Sequence, residues 1–361
     1  MTKKAPRRVR ASRPRRGISR ASAHPAQVPP SGRIDWAPVV DILRRGERFV
    51  LTGHSYPDGD VLGSELATAR FLRSLGKDAR CINCGIIPQN YRWMYDEGEI
   101  EIYDPARHGS FVRGADAILV FDYANLARLD DLTPPVRERR GVLIGIDHHP
   151  LNGERPPIDI VDLGAAAVGE MVYDLIGAMG GAVTKEVAIP LFVAITTDTG
   201  SFRYSNTTGF THRLGAHLVD LGVEPYEVYR RIYEASSEAR LRMLADALRG
   251  LKTDADGRLA WITVTRKMLD DRRLTEEETE GFIDVVRTLR DAEISMLVKE
   301  VGPGRIKVSL RSRGAVDVAA LLKPFGGGGH ARAAGVTILE PLEVATAKIL
   351  AAARKALGMT K

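Results

Sequence analysis

Short, uninterrupted aliphatic runs alternate with helical periodicity over the first two-thirds of this chain, and that alternation limits the fold more than any other feature. RFVLTGH (Arg48–His54), Ala79–Cys84, AILVFD (Ala117–Asp122) and VLIGID (Val142–Asp147) are too short for helices and apolar on both faces. They are the strands of a sheet covered on both sides. Between and after them, apolar residues recur at helical spacing in Asp60–Leu75 (Leu62, Leu66, Ala69, Leu72, Leu75), Val168–Met179, Val187–Thr196 and Thr211–Leu221. Buried strands interleaved with helices predict an α/β domain on a mainly parallel sheet.

The pattern changes near residue 235. A connecting helix is expected over 235–251, where Ser236, Ser237 and Glu238 offer cap chemistry. Beyond it come a strand at Leu259–Thr265, a helix at Glu276–Arg290 and paired strands at Glu293–Val301 and Ile306–Arg311, with Gly302, Pro303 and Gly304 as their turn. A helix at Val316–Lys323, a glycine loop and a last helix at Leu342–Leu357 complete a smaller α+β domain. The expected organisation is a tail (1–33), a first domain (34–234), a linker helix (235–251) and a second domain (252–361), with the active site in the cleft between the two domains.

A chain of 361 residues suffices for two cores. No run approaches the 18 or so apolar residues of a membrane span, and the first 30 lack the apolar stretch of a secretory signal. Two cysteines exclude a disulfide scaffold and fit a reducing compartment, so no membrane association and a cytoplasmic location are expected. The net charge of +6 belongs to the tail: residues 1–33 hold ten Lys or Arg and no acid, leaving 42 basic and 46 acidic groups in the remainder. Rich in proline and poor in large apolar residues, the tail reads as a solvated, disordered leader. Non-specific affinity for polyanions such as RNA is the next reading, through counterion release. The prolines argue against the amphipathic helix of a mitochondrial presequence.

The chemistry lies where the apolar elements end. The first strand runs into His54-Ser-Tyr-Pro-Asp58-Gly-Asp60, another ends at Asp122, the next in Asp147-His148-His149, and the helix Val187–Thr196 continues into Thr197-Asp198-Thr199-Gly200. In parallel α/β sheets the carboxyl ends of the strands line the ligand crevice. Around these ends, Asp58, Asp60, Asp122, Asp147 and Asp198 stand with no Lys or Arg among them. Two such carboxylates about 4 Å apart repel by about 4 kcal/mol at an effective dielectric near 20. Taken singly, Asp-Gly-Asp is an ordinary turn and a terminal His an ordinary polar residue. Jointly, acids and histidines without counter-cations call for divalent metal. The donor count suits two ions: His54 and Asp58 for one, Asp60, His148 and Asp198 for the other, with Asp122 bridging. Oxygen and imidazole donors without thiolate favour Mn²⁺ or Mg²⁺ over a structural zinc. Asp147 suits orientation of a histidine, and His149 a catalytic contact to phosphate oxygen or leaving group.

HSYPDGDVLGS, the isolated Asp122, DHHP and TTDTGSF resemble the ordered motifs of the DHH phosphoesterase family. The resemblance implies a binuclear, usually manganese, centre with the ligands just given, and water bridging the ions as nucleophile on phosphorus. RSRGAVDVAALLKPFGGGGHARAAG resembles the DHH-associated C-terminal domain of exonuclease-like members and not that of family II pyrophosphatases. Together the resemblances cover about residues 45–355. They point to the nanoRNase/pAp-phosphatase group, which degrades short RNA oligonucleotides and removes the 3′-phosphate of adenosine 3′,5′-bisphosphate (pAp). Substrate contacts are then expected from Arg311, Gly327, Gly328, Gly329 and His330: bare backbone amides and a bidentate guanidinium suit phosphate and nucleotide.

A phosphodiesterase for cyclic or linear di-adenylate dinucleotides (c-di-AMP, pApA) shares the same metal site and remains the rival enzyme. A nucleic-acid-binding module without catalysis is the rival of another class, and the complete ligand set argues against it. Family members often pair, which makes a homodimer an expectation that no apolar stripe here marks. Arg128 and Arg203 follow the metal-site motifs and serve phosphate or surface ion pairs equally well. Cys81 and Cys84 read as core, His212 and His217 as surface histidines on a helix, and the aromatic Pro88–Tyr95 equally as a base-stacking segment or as a packed lid or core corner. His24 and His108 belong to no motif.

Overall fold

The computed structural model describes residues 28–150, 153–254 and 256–358, which form two compact units, one through Tyr229 and one from Arg230. In the first, helix α1 (Ala37–Arg45) precedes six strands: β1 (Arg48–Gly53), β2 (Asp78–Asn83), β3 (Ile100–Ile102), β4 (Ala117–Phe121), β5 (Val142–Asp147) and β6 (Ile158–Val161). All pair in parallel, in the order β3-β2-β1-β4-β5-β6. The chain therefore builds outward from β1 in one direction, then returns to its other side at β4. That reversal opens a crevice beyond the carboxyl ends of β1 and β4, which pair from Phe49↔Ala117 to Gly53↔Phe121. Continuous burial of the central strands explains why they read as apolar runs. The edge strands β3 and β6 are short and mostly half-buried, and periodicity did not mark them.

Helix α2 (Gly59–Ser74) leaves β1, and α3 (Pro105–Gly114) and α4 (Thr133–Arg137) flank β4 in sequence. Helices α5 (Val168–Ala178), α6 (Lys185–Asp198), α7 (Gly209–Asp220) and α8 (Pro225–Tyr233) follow the sheet. Glycines let α2, α5 and α6 approach closely. A Cβ at Gly63 would lie 2.3 Å from the Pro190 carbonyl oxygen, and one at Gly169 would lie 2.6 Å from Ala194 Cβ. This packing brings the start of α2, the start of α5 and the end of α6 together.

Residues 1–27 of the expected tail lie outside the described residues. Residues 28–33, expected to be its solvated end, instead run along α5. The Val28 carbonyl accepts from Tyr173 Oη at 3.0 Å, Ser31 N and Oγ donate to the Asp174 carboxylate, and Arg33 Nε donates to Asp162 at 2.6 Å. Composition registers the strap's lack of apolar mass but not the buried acids of α5 that need partners.

The second unit holds α9 (Glu238–Arg249), α10 (Arg266–Asp270), α11 (Phe282–Val286), α12 (Val318–Leu322) and α13 (Leu342–Ala356). Its strands are β7 (Lys252–Thr253), β8 (Leu259–Val264), β9 (Ile294–Gly302), β10 (Arg305–Ser312), β11 (Gly328–His330) and β12 (Ala333–Ile338). They form a sheet in the order β11-β12-β10-β9-β8-β7, antiparallel apart from β8 with β9. Three expectations change here. The helix at Glu276–Arg290 is a 3₁₀ turn (Glu277–Thr279) followed by α11, because Gly281 adopts φ 79° between them. The glycine loop is in part strand β11, hydrogen-bonded to β12. The connecting helix buries Met243 and Ala247 with Ala260, Ile262 and Phe282, which makes α9 part of the second unit's own core.

Candidate metal centre

His54, Asp58 and Asp60 sit where β1 turns into α2. Asp58 caps that helix, its Oδ1 accepting from the amides of Asp60 (3.0 Å) and Val61 (3.2 Å). The turn needs Gly59, since a Cβ there would lie 2.5 Å from Thr197 Oγ1. Asp60, buried, accepts from the first amides of α5, Val168 N at 2.7 Å and Gly169 N at 3.0 Å. Asp122 follows β4 with φ 45°, a backbone conformation that a non-glycine residue adopts only when its surroundings hold it there. Asp198 is the last residue of α6. It therefore arrives from a helix end rather than a strand end.

These side chains converge. Donor atoms of His54, Asp58 and Asp122 lie within 4.8 Å of one another, and so do those of Asp60, His148 and Asp198. Asp122 connects the groups: its Oδ2 is 3.6 Å from His54 Nε2, and its Oδ1 is 3.9 Å from His148 Nε2. His148 Nε2 is also 3.3 Å from Asp198 and 3.8 Å from Asp60. The ring nitrogens facing away are already engaged. His54 Nδ1 donates to the Ser55 carbonyl at 2.9 Å and His148 Nδ1 to the Ala165 carbonyl at 3.0 Å. Those bonds fix the tautomer that turns each Nε2 lone pair inward. His148 Nε2 is buried without a hydrogen bond, while Asp122 Oδ1, also buried, lies 2.6 Å from His149 Nδ1. A buried acceptor left without a hydrogen bond suits a cation.

The electrostatics agree. Burial, then the charges of Asp198, Asp122 and Asp58, push Asp60 well above the usual carboxylate range. Burial also pushes Asp198 up to about 7, with His148 opposing and Asp122 and Asp58 adding to the rise. For Asp122 burial acts upward, but hydrogen bonds from His149 and His54 hold it well below its ordinary range. Burial opposes protonation of His149, yet Asp122 and Asp147 raise it to about 11. Protons and imidazolium thus occupy the charge balance that a divalent ion would take over.

Asp147 is buried and stands behind the donors. Its Oδ1 accepts from His149 N (2.8 Å) and lies 2.9 Å from His149 Nδ1, while Oδ2 accepts from Ala124 N at 2.6 Å. One carboxylate thus ties the turn after β4 to the turn after β5. Asn206, which the sequence reading passed over, ties two more elements: its Nδ2 donates to the carbonyls of Ala166 (2.9 Å) and Asp198 (3.1 Å). Arg128 is exposed, and its charge reaches His54. Arg203 Nε donates to the Gly200 carbonyl at 2.6 Å.

Of the second-unit candidates, Arg311 is half-buried and makes no ion pair among the described residues; its Nη1 donates to the Leu310 carbonyl at 3.3 Å. Arg313 instead donates to the carbonyls of Arg287, Leu289 and Arg290, a structural role. Gly327 and Gly329 are required by packing, since a Cβ would lie 2.7 Å from the Gly335 carbonyl oxygen and 2.5 Å from that of Ala333, respectively. A Cβ at Gly328 would face open space. His330 lies in β11. Cys81 and Cys84 are buried free thiols, His212 stacks on Phe202, and His108 is buried beside Glu101. His217 is a correction: it is buried against Tyr173 rather than on the surface, because α7 packs that face inward.

Family models for the DHH family N-terminal domain and the DHHA1 domain match residues 48–195 and 262–358. The bifunctional oligoribonuclease and PAP phosphatase NrnA of Thermus thermophilus is 33% identical over 322 residues, covering 88% of this chain and 93% of that protein. The chain belongs to the DHH family. NrnA of Bacillus subtilis is 25% identical to this DHH protein, over 81% of the chain and 90% of the relative. An exopolyphosphatase-related protein from Bacteroides fragilis shares the fold with a TM-score of 0.82 at 28% identity, covering 88% and 95% of the two chains. RecJ from Thermus thermophilus, solved with Mn²⁺, gives 0.51 at 16% identity over 88% of this chain and 54% of RecJ, a likeness of fold. Among the described residues no helix is long and apolar enough to cross a membrane.

Proposed function

We propose that this chain is a two-metal phosphoesterase that hydrolyses short oligoribonucleotides to mononucleotides and also removes the 3′-phosphate of pAp. The carrying observation is the two donor triads joined through Asp122, with His148 Nε2 buried and without a hydrogen bond. His54, Asp58 and Asp122 would hold one ion, and Asp60, His148 and Asp198, with Asp122 shared, the other. Oxygen and imidazole donors without thiolate favour Mn²⁺ over a structural zinc. Two ions held there would neutralise charge on the phosphoryl oxygens and supply an activated water. His149, braced by Asp147, is placed to hydrogen-bond a phosphate oxygen or the leaving group. In the second unit, Arg311, the open Gly328 and His330 are the groups for nucleotide recognition, and Gly327 and Gly329 shape the strand that carries them. The NrnA relatives support the substrate class, as their names state oligoribonuclease and PAP phosphatase activities.

The test is a chromatographic comparison of initial rates on pApA and pAp with Mn²⁺ present and then chelated. Mn²⁺-dependent conversion of both, lost in Asp122→Ala while RNA binding is kept, is the expected result. Turnover of pApA alone would assign a linear di-adenylate role. No turnover of any phosphate ester with Mn²⁺ would leave the binding-module reading in place of the enzyme.

A further inference from the structure

Resting on the two-metal reading, we propose that Arg33, in the strap before α1, is a positioning residue for one half of the metal centre. The segment 162–169, the link from β6 and the first two residues of α5, carries three contacts to metal-ligand candidates: the Ala165 carbonyl accepts from His148 Nδ1, and the amides of Val168 and Gly169 hold Asp60. Both ends of that segment are held by acids that meet the same guanidinium. Arg33 Nε donates to Asp162 Oδ2 at 2.6 Å, and Arg33 Nη2 lies 3.7 Å from Glu170 Oε2. Asp162 in turn accepts at Oδ1 from Gly164 N (2.9 Å), and its carbonyl accepts from Ala165 N (3.0 Å). Glu170 Oε2 accepts from Ala166 N at 3.1 Å. Each carboxylate therefore grips the backbone immediately beside the Ala165 carbonyl, and Arg33 grips both carboxylates.

Glu170 is buried, and the nearby cation adds to hydrogen bonds from Thr211 and Ala166 in offsetting a charge that burial disfavours. The Phe210 ring, 5.8 Å from the guanidinium carbon, helps fix its plane. Without Arg33 the two acids repel across the segment, the Ala165 carbonyl loses its fixed direction, and His148 loses the bond that sets its tautomer. Among the described residues the His54–Asp58 side has no contact of this kind with the strap, so the effect is one-sided.

Outer partners of metal ligands are typically worth about 10–100-fold in affinity, and Arg33 stands one step further out, so a loss of about 10-fold is expected. The experiment is calorimetric titration of Mn²⁺ into the full-length metal-free protein, for wild type, Arg33→Ala, Arg33→Lys and Asp162→Asn, with amide hydrogen exchange of segment 162–169. In Arg33→Ala one of the two ions should bind about 10-fold more weakly and the segment should exchange faster, with Arg33→Lys partly restoring both. Arg33→Ala combined with Asp162→Asn should cost less than the sum of the single changes. Unchanged affinity for both ions, or equal weakening of both together with general loss of protection, would overturn the proposal. Wild type that binds no Mn²⁺ would instead refute the metal reading on which it rests.

Discussion

Replacing Gly63 with alanine tests whether close helix packing places the acids. Gly63 lies one turn after Asp60 on α2, facing α6, whose last residue is Asp198. A methyl group there would sit 2.3 Å from the Pro190 carbonyl oxygen, 2.9 Å from Ala194 Cβ and 3.0 Å from Ala194 N. Two of these neighbours are backbone, so a rotamer change offers no relief. The helices must part by about 1 Å to restore ordinary contact, and overpacking of this sort costs about 1–3 kcal/mol. For a unit of this size each kcal/mol lowers Tm by about 2–4 °C. Misplacement of reacting groups by about 1 Å costs about 100-fold in rate. The assay is a thermal melt together with kcat on pApA at saturating Mn²⁺. Gly177→Ala on α5 is the control, because its Cβ would meet only Pro30 at 3.6 Å and alanine favours the helix. Gly63→Ala with wild-type Tm and kcat would refute the packing argument.

Mn²⁺ binding should release protons, because Asp60 lies above the carboxylate range and Asp198 near 7 until a cation arrives. Affinity should therefore rise with pH through about 7, and calorimetry in buffers of different ionisation enthalpy would count the protons; a pH-independent affinity would contradict it. In the metal-free protein Asp122 is held low, so its stabilising contribution is present above the ordinary carboxylate range and is lost as pH falls through its depressed pKa. Asp60 has the opposite sign: its raised pKa makes the ionised form costly at neutral pH, and acidification through that pKa relieves the cost. Chelation of the loaded protein should accordingly lower Tm at neutral pH, since about 2.7 kcal/mol of ligand stabilisation disappears for an ion held at about 100 times its Kd. Asp147→Asn keeps the shape but weakens the grip on His149 and Ala124, and a loss of about 10–100-fold in kcat with modest change in KM is expected by steady-state kinetics.

Much of the centre was legible because its signals are local. His54, Asp122, Asp147 and His148 stand at the ends of continuous apolar runs, with Asp58 and Asp60 in the turn that follows one of them, and such runs in a parallel sheet all point their carboxyl ends to one side. Asp198 was legible as an acid just past an apolar run at helical spacing, and it is the last residue of α6. What escaped depends on partners distant in sequence. The strap at 28–33 is polar and proline-rich, and only the buried acids Glu170 and Asp174 on α5 give it a reason to dock. Strands β11 and β12 were hidden because Gly327 and Gly329 read as freedom, whereas close backbone approach requires them. Asn206 carries no motif, and its role comes from bridging two carbonyls that the fold brings together.

The central claim is that Asp122 joins two metal positions into one centre. Electron paramagnetic resonance of the protein titrated with Mn²⁺ tests it directly, in wild type and Asp122→Asn. Two ions per chain with an exchange-coupled signal, and loss of the coupling in the variant, is the predicted result. A single ion per chain, or two ions whose signals stay uncoupled in wild type, would contradict it.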